Sequence, residues 1–252
     1  MSNQERSDYI DRIAGEATDR RVQLELISAL YDDGTFYAAL RALYRLYSID
    51  ALYAIEHFLH ERGCTQQQAD MLLRQFGFAT FRRKVERVFA RIDAMPLSLL
   101  LILGGMVNRE NYQEFVGWKQ AHRPHLITYS VAFSSSTRGY QVYTALENHS
   151  EDLLCLFNLR YDDVIAGFSD RYPTDLMLIQ PERRLFWHIK QMRHNLPDMT
   201  LMLFGEISRL SYYAELEDVI DGYVVRTSSS YQQFADTIVA THRRKHSQQA
   251  TV

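Results

Sequence analysis

The densest charge in this chain lies near residue 80, where Arg82, Arg83, Lys84, Arg87 and Arg91 stand against a single acid, Glu86. Cations so spaced can neutralise several phosphates, and guanidinium groups fork onto phosphate or guanine. The same letters also suit a solvated or protein-facing surface. Other groups able to do chemistry are scattered. His57 and His60 lie three apart beside Glu56, a spacing that lets one helix face hold a metal, but no third ligand of fixed geometry accompanies them. Glu147, His149, Glu151 and Asp152 read as a solvated connector. Asp162 and Asp163 open a helix, where acids favour the dipole. No glycine-rich phosphate loop of the Walker or dinucleotide type occurs, and spacing alone nominates no Ser-His-Asp set. The reading therefore names no catalytic residue, no metal site and no cofactor.

The chain that must position these groups has 252 residues, enough for one large domain or two ordinary ones. Its apolar content of 46% supports a packed core, and a net charge of -3 gives no global bias toward nucleic acid or membrane. Any such partner must be met by a local patch. Cys64 and Cys155 sit in apolar contexts and read as reduced, buried thiols. Residues 1–14 are polar and charged, unlike a signal peptide. The longest apolar run, 95–107, is too short to span a bilayer and contains Gly104 and Gly105. A cytoplasmic protein without membrane contact is expected.

The first half reads as helical. Apolar residues recur at helical intervals through 2–31, 36–47, 51–61 and 108–120, and no proline precedes Pro96. Thr65 caps a short helix bearing Ala69, Leu72 and Leu73, residues 75–78 make a turn, and a helix from Ala79 carries Phe81, Val85 and Val88 as its apolar stripe. Two short helices about a glycine-containing turn, at 65–91, resemble a helix-turn-helix, with the cations on its second helix. The first helix runs about two residues too far before the glycine for the usual spacing. The seam at His122, Arg123 and Pro124 ends an all-helical domain of residues 1–120.

Past the seam, five short apolar runs each precede an amphipathic segment. The strands are expected at 126–133, 153–157, 176–179, 201–204 and 223–225, and the helices near 138–147, 161–171, 184–195, 212–219 and 231–242. This alternation predicts a doubly wound parallel sheet, (βα)5 and flavodoxin-like, over 125–246, with any site at the carboxyl ends of the strands. The fold class is thus α + α/β with two domains. The basic tail at 242–246 is expected to fray.

Three local wordings then become specific. Thr174-Asp175-Leu176-Met177-Leu178-Ile179-Gln180 is similar to the Pro-Asp-Leu-Val-Leu-Leu-Asp of the receiver domains of bacterial response regulators. Leu196-Pro197-Asp198 resembles their Leu-Pro-Asp before the fourth strand. Ile220-Asp221-Gly222-Tyr223-Val224-Val225-Arg226-Thr227 resembles their Ala-Asp-Gly-Tyr-Leu-Leu-Lys-Pro. The resemblance covers roughly residues 126–244.

What the resemblance implies is largely a loss. Receiver chemistry needs a carboxylate nucleophile, an acidic pair for Mg2+, a lysine and a small hydroxyl residue. Gln180 stands at the nucleophile position, and Ser134, Ser135 and Ser136 follow the first strand, with no acid between His125 and Leu146. Gly205 takes the hydroxyl position and Arg226 that of the lysine. A degenerate receiver that cannot be phosphorylated is implied, one that dimerises or docks a protein partner. The face of the fourth helix, fifth strand and fifth helix, with Tyr212, Tyr213 and Tyr223 as anchors, is the implied contact surface. The function expected is non-catalytic regulation, with transcription control if residues 82–91 meet DNA. A protein-only adaptor without nucleic acid, or an enzyme using the strand ends, are the rival readings.

Overall fold

The computed structural model describes residues 5, 8–10, 12, 20–32, 36–46, 49–92, 95–134, 136–205, 214–225 and 231–249. By its internal contacts the chain divides into two compact units, Met1–Trp118 and Lys119–Val252.

The first unit is helical: α1 (Arg20–Leu30), α2 (Phe36–Leu46), α3 (Ile49–Glu61), α4 (Gln66–Phe76), α5 (Ala79–Arg91) and α6 (Leu97–Leu103), with α7 (Arg109–His122) running across the Trp118/Lys119 division. α2 is its centre: Phe36 through Leu40 are all buried, as are Ala42 and Leu43. Tyr37 is fully buried between Phe76 and Phe89, at 5.9 and 5.8 Å between rings, and its hydroxyl donates to the Arg82 carbonyl at 3.2 Å. A buried phenol needs such a partner. α4 starts on a capping box: Thr65 accepts from the Gln68 N–H, and Gln68 accepts from the Thr65 N–H. α6 is apolar except for Ser98, and it is buried from Ser98 to Leu103. It ends in a Schellman motif: Met106 N–H donates to the Leu101 carbonyl and Gly105 N–H to that of Ile102. Gly105 has φ 80°, a conformation that a Cβ would strain.

The second unit carries five strands, β1 (Ile127–Phe133), β2 (Leu153–Arg160), β3 (Leu176–Ile179), β4 (Thr200–Gly205) and β5 (Gly222–Val225). All pair in parallel, in the order β2-β1-β3-β4-β5. Their unbroken apolar runs are what burial on both faces selects. On one face Tyr129, Val131, Phe133, Leu178, Met202 and Phe204 form a core with Val142 and Leu146 of α8 (Ser136–His149) and Phe234 and Ile238 of α12 (Tyr231–Gln249). Met177 points to the opposite face, where Ser169 donates to its sulfur at 3.5 Å. That face carries α9 (Tyr161–Ile165), α10 (Phe168–Arg171) and α11 (Phe186–Asn195).

Carboxylates clasp the strand starts. Asp175, just before β3, accepts from the N–H and hydroxyl of Thr128 on β1 at 2.6 and 2.7 Å and from Lys119. Asp221, just before β5, accepts from the Leu201 N–H on β4 at 2.8 Å, from Lys245 at 3.2 Å and from Arg193. Arg193 also donates to the carbonyls of Val219, Pro197 and Met199, so one guanidinium gathers both loops.

Several expectations need correction. The tail does not fray: α12 continues to Gln249, because Lys245 reaches Asp221 and the Met199 carbonyl, and the His242 ring bonds Thr200 at 2.9 Å. Glu147 is buried, not solvated, and accepts from the Cys155 N–H at 2.9 Å. The helix expected over 161–171 breaks at Gly167, which has φ 70°. β2 extends to Arg160, since β1 pairs with it along its whole length. Of the helix expected over 212–219, Tyr212 and Tyr213 lie outside the described residues, and residues 215–219 are turns, not helix.

Candidate functional site

β3, the middle strand, ends at Ile179, and Gln180 follows with only 9% exposure. Its N–H donates to the Ala132 carbonyl at 2.9 Å, which carries the β1–β3 pairing one residue further. Ser134, immediately after β1, approaches the Gln180 Oε1 with its hydroxyl at 3.3 Å and its N–H at 3.5 Å. Tyr161, immediately after β2, donates its hydroxyl to the Gln180 carbonyl at 3.0 Å and lies 3.4 Å from Oε1. Gly205, buried at the end of β4, adds no side chain. Three parallel strands thus deliver a hydroxyl, a phenol and a carboxamide to one spot.

The chemistry of that spot is limited. A carboxamide oxygen is a neutral acceptor; it neither attacks phosphorus nor supplies the charge that Mg2+ demands. Arg184 covers the neighbouring phenol, with its guanidinium 5.2 Å from the centre of the Tyr161 ring and bridged to Glu182 at 3.0 Å and Asp162 at 3.6 Å. These ion pairs are exposed and contribute little stability; the contact Arg184 makes with the site is its guanidinium over the Tyr161 ring. Sequence reasoning missed Tyr161 and Arg184. The signal for Tyr161 was its place at the junction of strand and helix; nothing local marked Arg184. Among the described residues no group of three or more His, Cys, Asp and Glu side chains could hold a metal ion. Of the expected pocket, Ser135 and Arg226 lie outside the described residues, as do Tyr212 and Tyr213 of the expected contact surface. Tyr223 stands on β5 with 51% exposure.

The cations of α5 do not form one solvated face. Arg83, Arg87 and Arg91 recur every four residues along one stripe, with Arg82 on another side of the helix. Lys84 is turned inward at 8% exposure beside Phe81, Val85 and Val88. Arg82, Arg87 and Arg91 are half-buried, Glu86 receives Arg41, and Arg83 alone of the five is exposed. The turn before α5 is only Gly77 and Phe78, one residue helical and one extended.

His57 and His60 both have partners, and both thiols are buried. Both ring nitrogens of His60 have partners at 2.9 Å, the Cys64 carbonyl and Gln66 Oε1, so neither is presented to a metal. His57 lies 3.3 Å from the Tyr31 hydroxyl and pairs with Glu61 at 3.6 Å. Burial, with Glu114 nearby, pushes the Cys64 thiol up to about 11, which leaves little thiolate to react. Cys155 is buried as well, and its thiol donates to the Phe157 carbonyl at 3.6 Å.

No protein-family model, no curated protein and no solved structure matches this chain. Function must be argued from the side chains themselves. Among the described residues no helix is long and apolar enough to cross a membrane.

Proposed function

We propose that this is a non-catalytic regulatory protein, a response-regulator-like chain that acts without phosphorylation by dimerising or docking a protein partner. The observation that carries the reading is Gln180: a neutral carboxamide ends the middle strand, with Ser134 and Tyr161 on its oxygens. The strand order β2-β1-β3-β4-β5 supports a flavodoxin-like, receiver-like domain, and the division into two compact units supports the helical half as a second domain. Exposed Tyr223 on the four-residue edge strand β5 supports a contact surface there, since aromatics give large contact area at small entropic cost. Incubation with Mg2+ and acetyl phosphate should leave the intact mass unchanged; a stable acyl phosphate would end this reading. Light scattering after size exclusion tests the dimer, and Tyr223→Glu should convert it to monomer.

A second reading, a protein-only adaptor without DNA contact, is favoured by the inward turn of Lys84 and the half-burial of Arg82. It predicts no gel shift with duplex DNA at low salt. A shift that salt abolishes, and that is lost when Arg83, Arg87 and Arg91 become alanine, would restore DNA binding through α5.

A further inference from the structure

Between α9, α10 and α11 lies a cleft of about 270 Å³. One wall is the stripe Trp187, Gln191 and Asn195 of α11, spaced four apart; the other is Ile165, Gly167 and Asp170 at the break between α9 and α10. It shares no lining residue with the Ser134–Gln180–Tyr161 set. Gly167, with its left-handed backbone, opens the notch, and the chain leaves two large apolar side chains at its rim: Trp187 is 64% exposed and Ile165 39%.

The charge and shape of the cleft select one kind of occupant. Among its described lining residues Asp170 bears the one fixed charge, and no lysine or arginine lines it. Asn195 Nδ2 donates to Asp170 Oδ1 at 3.3 Å, which holds the carboxylate toward the α11 wall. The cations of α11 do not neutralise it: Arg193 is spent on Asp221 and the carbonyls around it, and Lys190 is not among the lining residues. Elsewhere the chain covers aromatic rings with its own guanidinium groups, Arg184 over Tyr161 at 5.2 Å and Arg62 over Phe58 at 5.1 Å. Indole is the better acceptor for a cation, yet among the described residues the one ring against Trp187 is the perpendicular imidazole of His188. The volume is below that of a drug-sized pocket but accepts one long side chain.

We infer that this cleft is a docking site for an arginine side chain of a partner protein. The guanidinium stacks on Trp187 and forks onto Asp170, with the methylene stem along Ile165. Arginine fits better than lysine because its planar head both stacks and makes paired hydrogen bonds.

The test uses the full-length Trp118→Phe protein, in which Trp187 is the remaining tryptophan. The probe is the blocked tripeptide acetyl-Gly-Arg-Gly-amide at matched ionic strength, read by Trp187 fluorescence and by amide shifts of Gly167 and Asn195. Saturable changes with a midpoint on the order of 1 mM are expected, as suits a single surface side chain. The citrulline tripeptide, equal in shape but neutral, should bind at least about fivefold more weakly, and Asp170→Asn should weaken the arginine probe by a similar factor. Asp170 is exposed, so this variant should fold normally. An unsaturable response, equal binding of the citrulline probe, equal binding of a lysine tripeptide, or an unaffected Asp170→Asn variant would each overturn the assignment.

Discussion

Replacing Asp221 by alanine should cost the sheet unit about 3 kcal/mol, from the lower end of the range for breaking a buried ion pair. The carboxylate receives three donors: the Leu201 N–H at 2.8 Å, Lys245 at 3.2 Å and Arg193. A hydrogen bond to a charged group contributes about 1.5–3 kcal/mol, and here the bond joins β4 to the residue before β5. The remaining cost is that of leaving two half-buried cations beside each other. Arg193 keeps its three carbonyl partners after the change, which is why the loss stays at the lower end. Urea unfolding in the Trp118→Phe background, followed by Trp187 fluorescence, measures the effect; with a slope of roughly 1–3 kcal/mol per molar, the midpoint should fall by at least about 1 M. Asp221→Asn, which keeps an acceptor for Leu201, should lose less. Exposed Glu151→Ala is the control and should stay within about 0.5 kcal/mol. If Asp221→Ala shifts the midpoint no further than Glu151→Ala, the clasp does not hold the strand starts.

Three further outcomes are expected. Burial, then the neighbouring His246, lower the His242 pKa from 6.5 to about 4, with Lys119 and Lys245 acting the same way and Asp175 against them. The unfolded chain therefore takes up a proton first as pH falls, and stability that is intact above pH 6.5 is lost between 6.5 and about 4. His242→Gln should flatten that part of a stability-versus-pH curve by about 2 kcal/mol, a figure discounted for partial exposure. Tyr161→Phe should lower stability by about 0.5–1.5 kcal/mol in the same urea assay, because it removes the hydroxyl that satisfies the Gln180 carbonyl. Gly167→Ala should cost about 1 kcal/mol: the residue sits at φ 70°, and an added Cβ would stand 3.4 Å from Asp170 Oδ2.

The parts of the fold that the sequence made legible are those whose cause is local. The run from Leu176 to Ile179 reads as a buried strand because a central parallel strand has no polar face. Thr65 and Gln68 announce α4 because the capping partners are three residues apart. The acids before β3 and β5 could be read from their wording, and their physical job is now plain: each accepts the N–H of the second residue of a neighbouring strand. What could not be read depends on distant partners. Glu147 looks solvated until its bond to the Cys155 N–H is known, and the cationic end of α12 looks loose until Asp221 is placed beneath it. Lys84 belongs by its letters with Arg83 and Arg87, yet helix geometry puts it at the edge of the buried stripe. At the candidate site Gln180 and Ser134 were nominated from sequence, while Tyr161 required the β2–β1–β3 neighbourhood to bring it within reach.

The clasp at Asp221 also bears on how the polypeptide closes as it leaves the ribosome. Strands one to four can pair from what precedes residue 206, but β5 is fastened by a lysine twenty-four positions beyond its aspartate. Until α12 has emerged, the apolar residues of β4 lack both their edge strand and the helix that covers them. A nascent chain paused in that interval presents an open, sticky sheet margin, the state in which a chaperone would be expected to hold it.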